Sequence, residues 1–246
     1  MAPMVRLHKA TMPMLSLFVF FTSMWYLGGV SMAVESTKFN KAFFDDVEPI
    51  KLEDPLAVVL GAMDKGEPLV YTYGDAVKMA GHSCPAISGT YKMTQLALKR
   101  LYPDKTPVRG EIKVKFKGGV EDKVNGPISQ VVSLITGAAP ESGFGGLGGG
   151  RYNRKNLLTF DETATPPADC ICSVMFERMD TGKKLEITYS NYMLGGNPKM
   201  GELMPKAVGG KATNAEQKEF GELWHERIKT ILFNPPEGMF VIKELN

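Results

Sequence analysis

Cysteine is scarce in this chain of 246 residues, acidic side chains are missing from its start, and the common catalytic motifs are missing throughout. Cys84, Cys170 and Cys172 are the only three cysteines, and an odd count leaves at least one thiol unpaired, which excludes a fold stapled wholly by disulfides. Cys170 and Cys172 share a face if they lie in a strand and are too close to bridge each other comfortably; a bridge from Cys84 to either stays geometrically open. The absence of Gly-x-Ser-x-Gly, His-Glu-x-x-His and a P-loop removes the easiest enzyme assignments. No Asp or Glu precedes Val34, and Arg6 and Lys9 are the only Lys or Arg before it, so the formal net charge of +2 belongs to that end and the remainder is neutral. That balance excludes the electrostatic footprint of a dedicated nucleic-acid binder.

Arg6, His8 and Lys9 precede an uncharged apolar run that continues to Val30, and Ser31 and Ala33 supply small residues just beyond it. The pattern is that of a secretory signal over residues 1–33, and residues 12–30 are also long enough for an uncleaved membrane anchor. In either case the positive flank stays cytoplasmic and the body is exported, to a periplasmic or extracellular location. With 43% hydrophobic and 23% charged residues, no internal repeat and no second composition regime, the body reads as one globular domain, from residue 73 onward, behind an extension at 34–72.

Along that body, prolines at 49, 55 and 68 argue against long elements early, and residues 56–61 suit a short helix. Residues 75–80 suit one or two helical turns ended by Gly81. Pro85 then opens the clearest helix, capped by Ser83 or Cys84, with Ile87, Tyr91, Leu98 and Leu101 at helical spacing and Lys92, Lys99 and Arg100 on the other side. Residues 111–117 alternate charged and apolar side chains as a half-buried strand does, and Ile128, Val131, Val132 and Ile135 describe a second amphipathic helix ending at Gly137. The glycine-dense stretch at 141–151 contains a formal G-x-G-x-x-G, but it follows a helix and leads to a strand, the wrong context for dinucleotide binding. It is expected to be a mobile loop, able to cover a site and to use Arg151 on an anion. Residues 156–160, 170–177 and 184–189 read as strands, the last two joined by turn chemistry at Asp180-Thr181-Gly182-Lys183. A polar, glycine-rich connection at 191–211 leads to a helix capped by Thr213 or Asn214, and residues 239–242 close the fold as a strand.

The chemistry concentrates at His82-Ser83-Cys84-Pro85. A cysteine at a helix start meets the positive end of the backbone dipole, which favours thiolate, and a nearby imidazole adds a nitrogen ligand or proton acceptor. Thiolate and imidazole suit zinc, copper or haem iron better than calcium or magnesium. Two ligands are too few for a closed zinc site, so others must come from Cys170, Cys172, His225, a carboxylate or a second subunit. Against this stand plainer readings: Cys170 and Cys172 as strand packing, His225 as a solvated helix residue, and Asp75 as a helix cap or first-turn acid.

Gly81-His82-Ser83-Cys84-Pro85, followed by Gly89 and Tyr91-Lys92-Met93, resembles the opening signature of the FmdE family, a domain named after one component of the molybdenum formylmethanofuran dehydrogenase. The resemblance continues through Leu134-Ile135-Thr136-Gly137 and Lys155-Asn156-Leu157-Leu158-Thr159-Phe160 to the hairpin around Asp180, and spans roughly residues 73–190. It implies an α+β domain, an antiparallel sheet packed by helices, commonly a homodimer, with a metal site that includes His82 and Cys84. Members typically carry another Cys followed by an Asp at the second helix, where residues 124–130 have neither, and Ala138 replaces a further Cys. No cysteine follows Cys172, so the zinc-ribbon extension of some members is missing. These departures imply an exported branch outside methanofuran chemistry. A transition metal is expected, zinc first, with copper or haem as alternatives, since Cys-Pro also occurs at thiolate-ligated haem sites and His82 offers an alternative axial ligand.

The expectation is therefore an exported metal-binding protein that handles metal or haem or assists electron transfer. One rival makes Cys84 a nucleophile or redox thiol with His82 as base and the glycine loop as lid. Another makes the chain a structural or interaction protein whose site has decayed.

Overall fold

The computed structural model describes residues 36–245, so the expected signal or anchor lies outside the described residues. Among those described, no helix is long and apolar enough to cross a membrane. Strands β1 (Ile50–Leu52) and β2 (Leu69–Tyr71) form a short antiparallel ribbon. The main sheet contains β3 (Ile112–Lys117), β4 (Leu158–Asp161), β5 (Cys172–Arg178), β6 (Lys184–Tyr189) and β7 (Phe240–Leu245), in the order β4-β3-β5-β6-β7. Only the β3–β4 pair is parallel; the other neighbours run antiparallel. Helices α1 (Pro55–Val59), α2 (Tyr73–Ala80), α3 (Pro85–Leu101), α4 (Asn125–Thr136), α5 (Pro198–Val208) and α6 (Asn214–Phe233) complete the elements. The architecture is α+β.

Register sorts the two faces of the sheet. Phe116, Val174 and Ile187 are paired across β3, β5 and β6 and are wholly buried, as are Val114, Phe176 and Leu185 in the next row. The rows between point the other way, because successive side chains in a strand alternate. There Lys113 faces Glu177 at 3.5 Å and Lys117 reaches Glu186 at 2.8 Å, cross-strand ion pairs that suit a solvated surface. Helices therefore cover one face only, α3 lying over β5 and β6 and α4 against β3.

Local sequence explains most element ends. Thr72 and Asp75 close a capping box on α2, and Gly81, at φ +74°, takes the left-handed conformation that stops it. Thr213 and Glu216 form the same box on α6. One expectation needs correction. Residues 191–211 are not merely a connection: Asn197 accepts from the amides of Lys199 and Met200, Pro198 occupies the first turn, and α5 buries Met200 and Leu203. Gly201 and Pro205, poor helix residues, obscure its period. Phe43, Phe44, Ile50 and Leu52 enter the same core as the rest, and the compact unit begins at Phe39.

A close contact joins α3 to β6. A Cβ built on Gly89 would sit 2.1 Å from the ring of Tyr189, while the Tyr189 hydroxyl donates to the Pro85 carbonyl at 2.8 Å. Glycine at 89 is what lets helix and ring meet. Gly89→Ala is expected to cost about 1–3 kcal/mol through overpacking, and Tyr189→Phe about 1 kcal/mol through the lost hydrogen bond. Urea unfolding checks both; a Gly89→Ala protein as stable as wild type would contradict the packing described.

Candidate functional site

Four elements hold the tetrapeptide His82-Ser83-Cys84-Pro85. From α6, the Trp224 indole donates to the Ser83 carbonyl at 2.9 Å. From α2, the Tyr73 hydroxyl and Ser83 Oγ lie 2.7 Å apart. From α3, Ser88 gives both its amide and its hydroxyl to the Cys84 carbonyl, at 2.9 and 3.0 Å. Tyr189 of β6 fixes Pro85. The carbonyls of Ser83, Cys84 and Pro85 are thus engaged, and the Cys84 thiol is not. Cys84 is the N-cap of α3, half-buried, and its sulfur makes no capping bond.

His82 is exposed, with Nδ1 3.0 Å from the Ala80 carbonyl. A carbonyl only accepts, so Nδ1 carries the proton and Nε2 keeps its lone pair free. This backbone contact to the far ring nitrogen is the one that metal-ligating histidines commonly use to fix their tautomer. Burial pushes the phenols of Tyr73 and Tyr189 far up, and negative charge on Cys84 acts in the same direction. Both therefore stay protonated; Tyr189 donates to Pro85, and Tyr73 shares its hydrogen bond with Ser83 rather than with the thiol.

The other candidates do not converge on this pair. All three cysteines are unbridged, so neither open disulfide pairing forms. Cys172 opens β5 on the core face, wholly buried beside Met93 Sδ at 3.9 Å, and desolvation pushes its thiol far up. Cys170 donates to the Pro167 carbonyl at 3.0 Å; burial raises its thiol more than the Lys123 ammonium at 3.7 Å lowers it. His225 is not the solvated residue expected. It packs against Phe43 and Phe44, at 6.2 and 6.0 Å between ring centres, and donates from Nδ1 to the Gly221 carbonyl. Its pKa falls below the ordinary imidazole value, first through burial and further through Lys41, against the opposing Gly221 bond. Arg151 lines a separate cavity whose walls include neither His82 nor Cys84. The glycine loop turns back on itself through paired hydrogen bonds between Leu147 and Arg151, both 2.8 Å.

Among the described residues no group of three or more His, Cys, Asp or Glu is assembled to hold a metal. Among the described residues the donors for a closed zinc site are not assembled, and the principal cavities have neither His82 nor Cys84 in their walls. What the described residues present at the tetrapeptide is an uncapped thiol at Cys84 and an exposed imidazole at His82. Sequence reasoning missed Tyr73, Trp224 and Tyr189 as the groups that position them. It also missed a buried cluster of Asp54, Arg109 and Arg154, because no local pattern links residues so far apart. No family model matches the chain and no curated protein matches it in sequence, so the FmdE resemblance rests on the motif residues themselves.

Burial orders the thiols. Alkylation followed by mass spectrometry is expected to modify Cys84 first, Cys170 more slowly and Cys172 only on unfolding, and fast labelling of Cys172 in the native protein would contradict its place in the core. His225 gives a pH signature. Its folded pKa lies below the unfolded value near 6.5, so the unfolded chain binds the proton more readily and stability rises with pH. That contribution is present above about pH 6.5 and lost as pH falls through the folded value. Thermal melts from pH 7 to 5 are expected to show a decline that is shallower in His225→Gln; identical slopes would contradict the burial.

Proposed function

We propose that this is an exported metal-binding protein of FmdE-like fold in which His82 and Cys84 form half of a soft-metal site, with zinc the best match and a second copy of the chain the source of the other half. The observation that carries this reading is that two donors close in sequence are both uncommitted: Cys84 makes no capping bond, and the Nδ1 contact of His82 to Ala80 leaves Nε2 open. Two copies about a twofold axis contribute two imidazoles and two thiolates, the four N/S donors that tetrahedral zinc takes. Export rests on the basic-then-apolar pattern of residues 1–33.

A zinc ion held by that set is closed, with no open position at which to activate water. The reading is therefore metal handling or an accessory role rather than stand-alone catalysis. The chain's own part is to fix donor positions: Trp224 and Ser88 hold the Ser83 and Cys84 carbonyls and Tyr73 holds the Ser83 hydroxyl, so little order need be imposed when a metal arrives.

Metal analysis and light scattering on protein purified without a polyhistidine tag test it. The expected result is one zinc per two chains and a dimer that a chelator weakens. His82→Ala and Cys84→Ser are each expected to lose metal, by about 10-fold or more in affinity, while keeping the fold by circular dichroism. Metal content unchanged in both variants, or a metal-free wild type that stays metal-free when zinc is added, sinks the reading.

A further inference from the structure

The second concentration of chemistry lies in a separate cavity. Asp54 caps α1 and is buried, and its carboxylate receives Arg154 at 2.7 Å and Arg109 at 3.1 Å. Two guanidiniums thus share one carboxylate, leaving a positive charge without a counterion where burial makes charge costly. The donors are not all used. Arg154 is 6% exposed, yet its NH1 has no partner, and neither does the buried Nε of Arg109. Burial lowers the pKa of Arg154 against the pull of Asp54, as expected of an under-compensated guanidinium.

The backbone is shaped to admit this charge. Gly110, at φ +85°, and Gly137, at φ +74°, press against it: a Cβ on Gly110 would lie 1.5 Å from Arg154 NH1, and one on Gly137 3.0 Å. Beside the pair is a cavity of about 340 Å³ whose wall includes Arg109, Arg151, Tyr152, Asn153 and Arg154, with Glu111 the only acid in it. Arg151 is exposed, makes no ion pair among the described residues, and lies over the Tyr152 ring at 5.5 Å. The backbone amides of Tyr152 and Asn153 donate to no protein acceptor, although those of Arg151 and Arg154 on either side do. Tyr152, at φ +61°, holds a left-handed conformation unusual for a bulky side chain.

We propose that this cavity binds a small oxyanion, the carboxylate or phosphate group of a ligand, with Arg151 and the Tyr152 and Asn153 amides as its donors and the Arg109 and Arg154 pair as the fixed positive charge behind them. A purely structural role would need one arginine for Asp54; the second leaves spare charge and spare donors beside an open space. Guanidinium with backbone amides is a donor set suited to planar or tetrahedral oxyanions.

Thermal shift and amide NMR of the full chain test this at constant ionic strength, with sodium phosphate and sodium acetate as probes and sodium chloride as the control. The expected result is a saturable rise in Tm with phosphate, acetate or both, and shifts of the Tyr152 and Asn153 amides that saturate in parallel. Whichever probe binds more tightly names the ligand class. Arg151→Ala, an exposed change that leaves the Asp54 cluster intact, is expected to weaken binding by about 10-fold or more, the loss of a charge-assisted hydrogen bond. A non-saturating rise shared by all three salts, amides that do not move, or equal affinity in Arg151→Ala overturns the proposal. The readout uses neither His82 nor Cys84, so it stands or falls separately from the metal reading.

Discussion

The approach of α3 to β6 at Gly89 and Tyr189 is the constraint on which the rest of the molecule depends. The phenol ring occupies the space a side chain at 89 would need, and its hydroxyl bonds the Pro85 carbonyl at the start of the same helix. Position and rotation of α3 are therefore set together. The other face of the ring stacks on Phe240 at 4.9 Å, which ties the last strand into the same contact. Because Cys84 caps that helix, its place relative to the sheet follows from packing, with no bond to the thiol itself.

A second clamp comes from the far ends of the chain. Trp224 of α6 reaches the Ser83 carbonyl, and Phe44 sits edge-on to Tyr73 at 5.0 Å while also approaching His225. Residues 39–72 and the long C-terminal helix thus close around α2 and the start of α3. The arrangement holds the tetrapeptide at three carbonyls while leaving the Cys84 thiol uncapped, a division of labour suited to holding something that arrives from outside.

Periodicity made α3, α4, β3 and the β5–β6 hairpin legible in the sequence, because each has one buried face and at least six residues to display it. The three-residue strands β1 and β2 are too short to show a period. Helix α5 was hidden because glycine and proline inside it resemble loop composition, although tertiary contact with α6 outweighs their poor propensity. At the site, Gly81 and Pro85 fixed where Cys84 would fall, since a helix stop and a helix start bracket it. Its partners were not legible: Tyr189 lies 104 residues from Pro85 and Trp224 lies 141 from Ser83, distances at which no local pattern speaks. His225 was misjudged for the same reason, its burial depending on Phe43 and Phe44 at the other end of the chain.

The two buried arginine clusters show why charge is the more telling feature of this fold. Arg178, 3% exposed, faces two carboxylates: Asp104 takes NH1 and NH2 at 2.6 and 3.2 Å, and Asp180 takes Nε and NH2 at 2.7 and 3.1 Å. Its NH1 also bonds the Leu101 carbonyl, and the Tyr102 ring lies 4.4 Å from the guanidinium carbon. Every nitrogen of that guanidinium is used, and the cluster ties the β5–β6 turn to the end of α3. At Asp54 the proportion is inverted, with two guanidiniums to one carboxylate and two nitrogens left over. The same chain thus contains a saturated arginine and an unsaturated pair; Arg227, whose buried Nε also lacks a partner, stands alone rather than in a charge cluster among the described residues. Saturation marks the cluster that holds the fold together; the surplus at Arg109 and Arg154 lies beside the one cavity that also contains Arg151, where an anion would complete it.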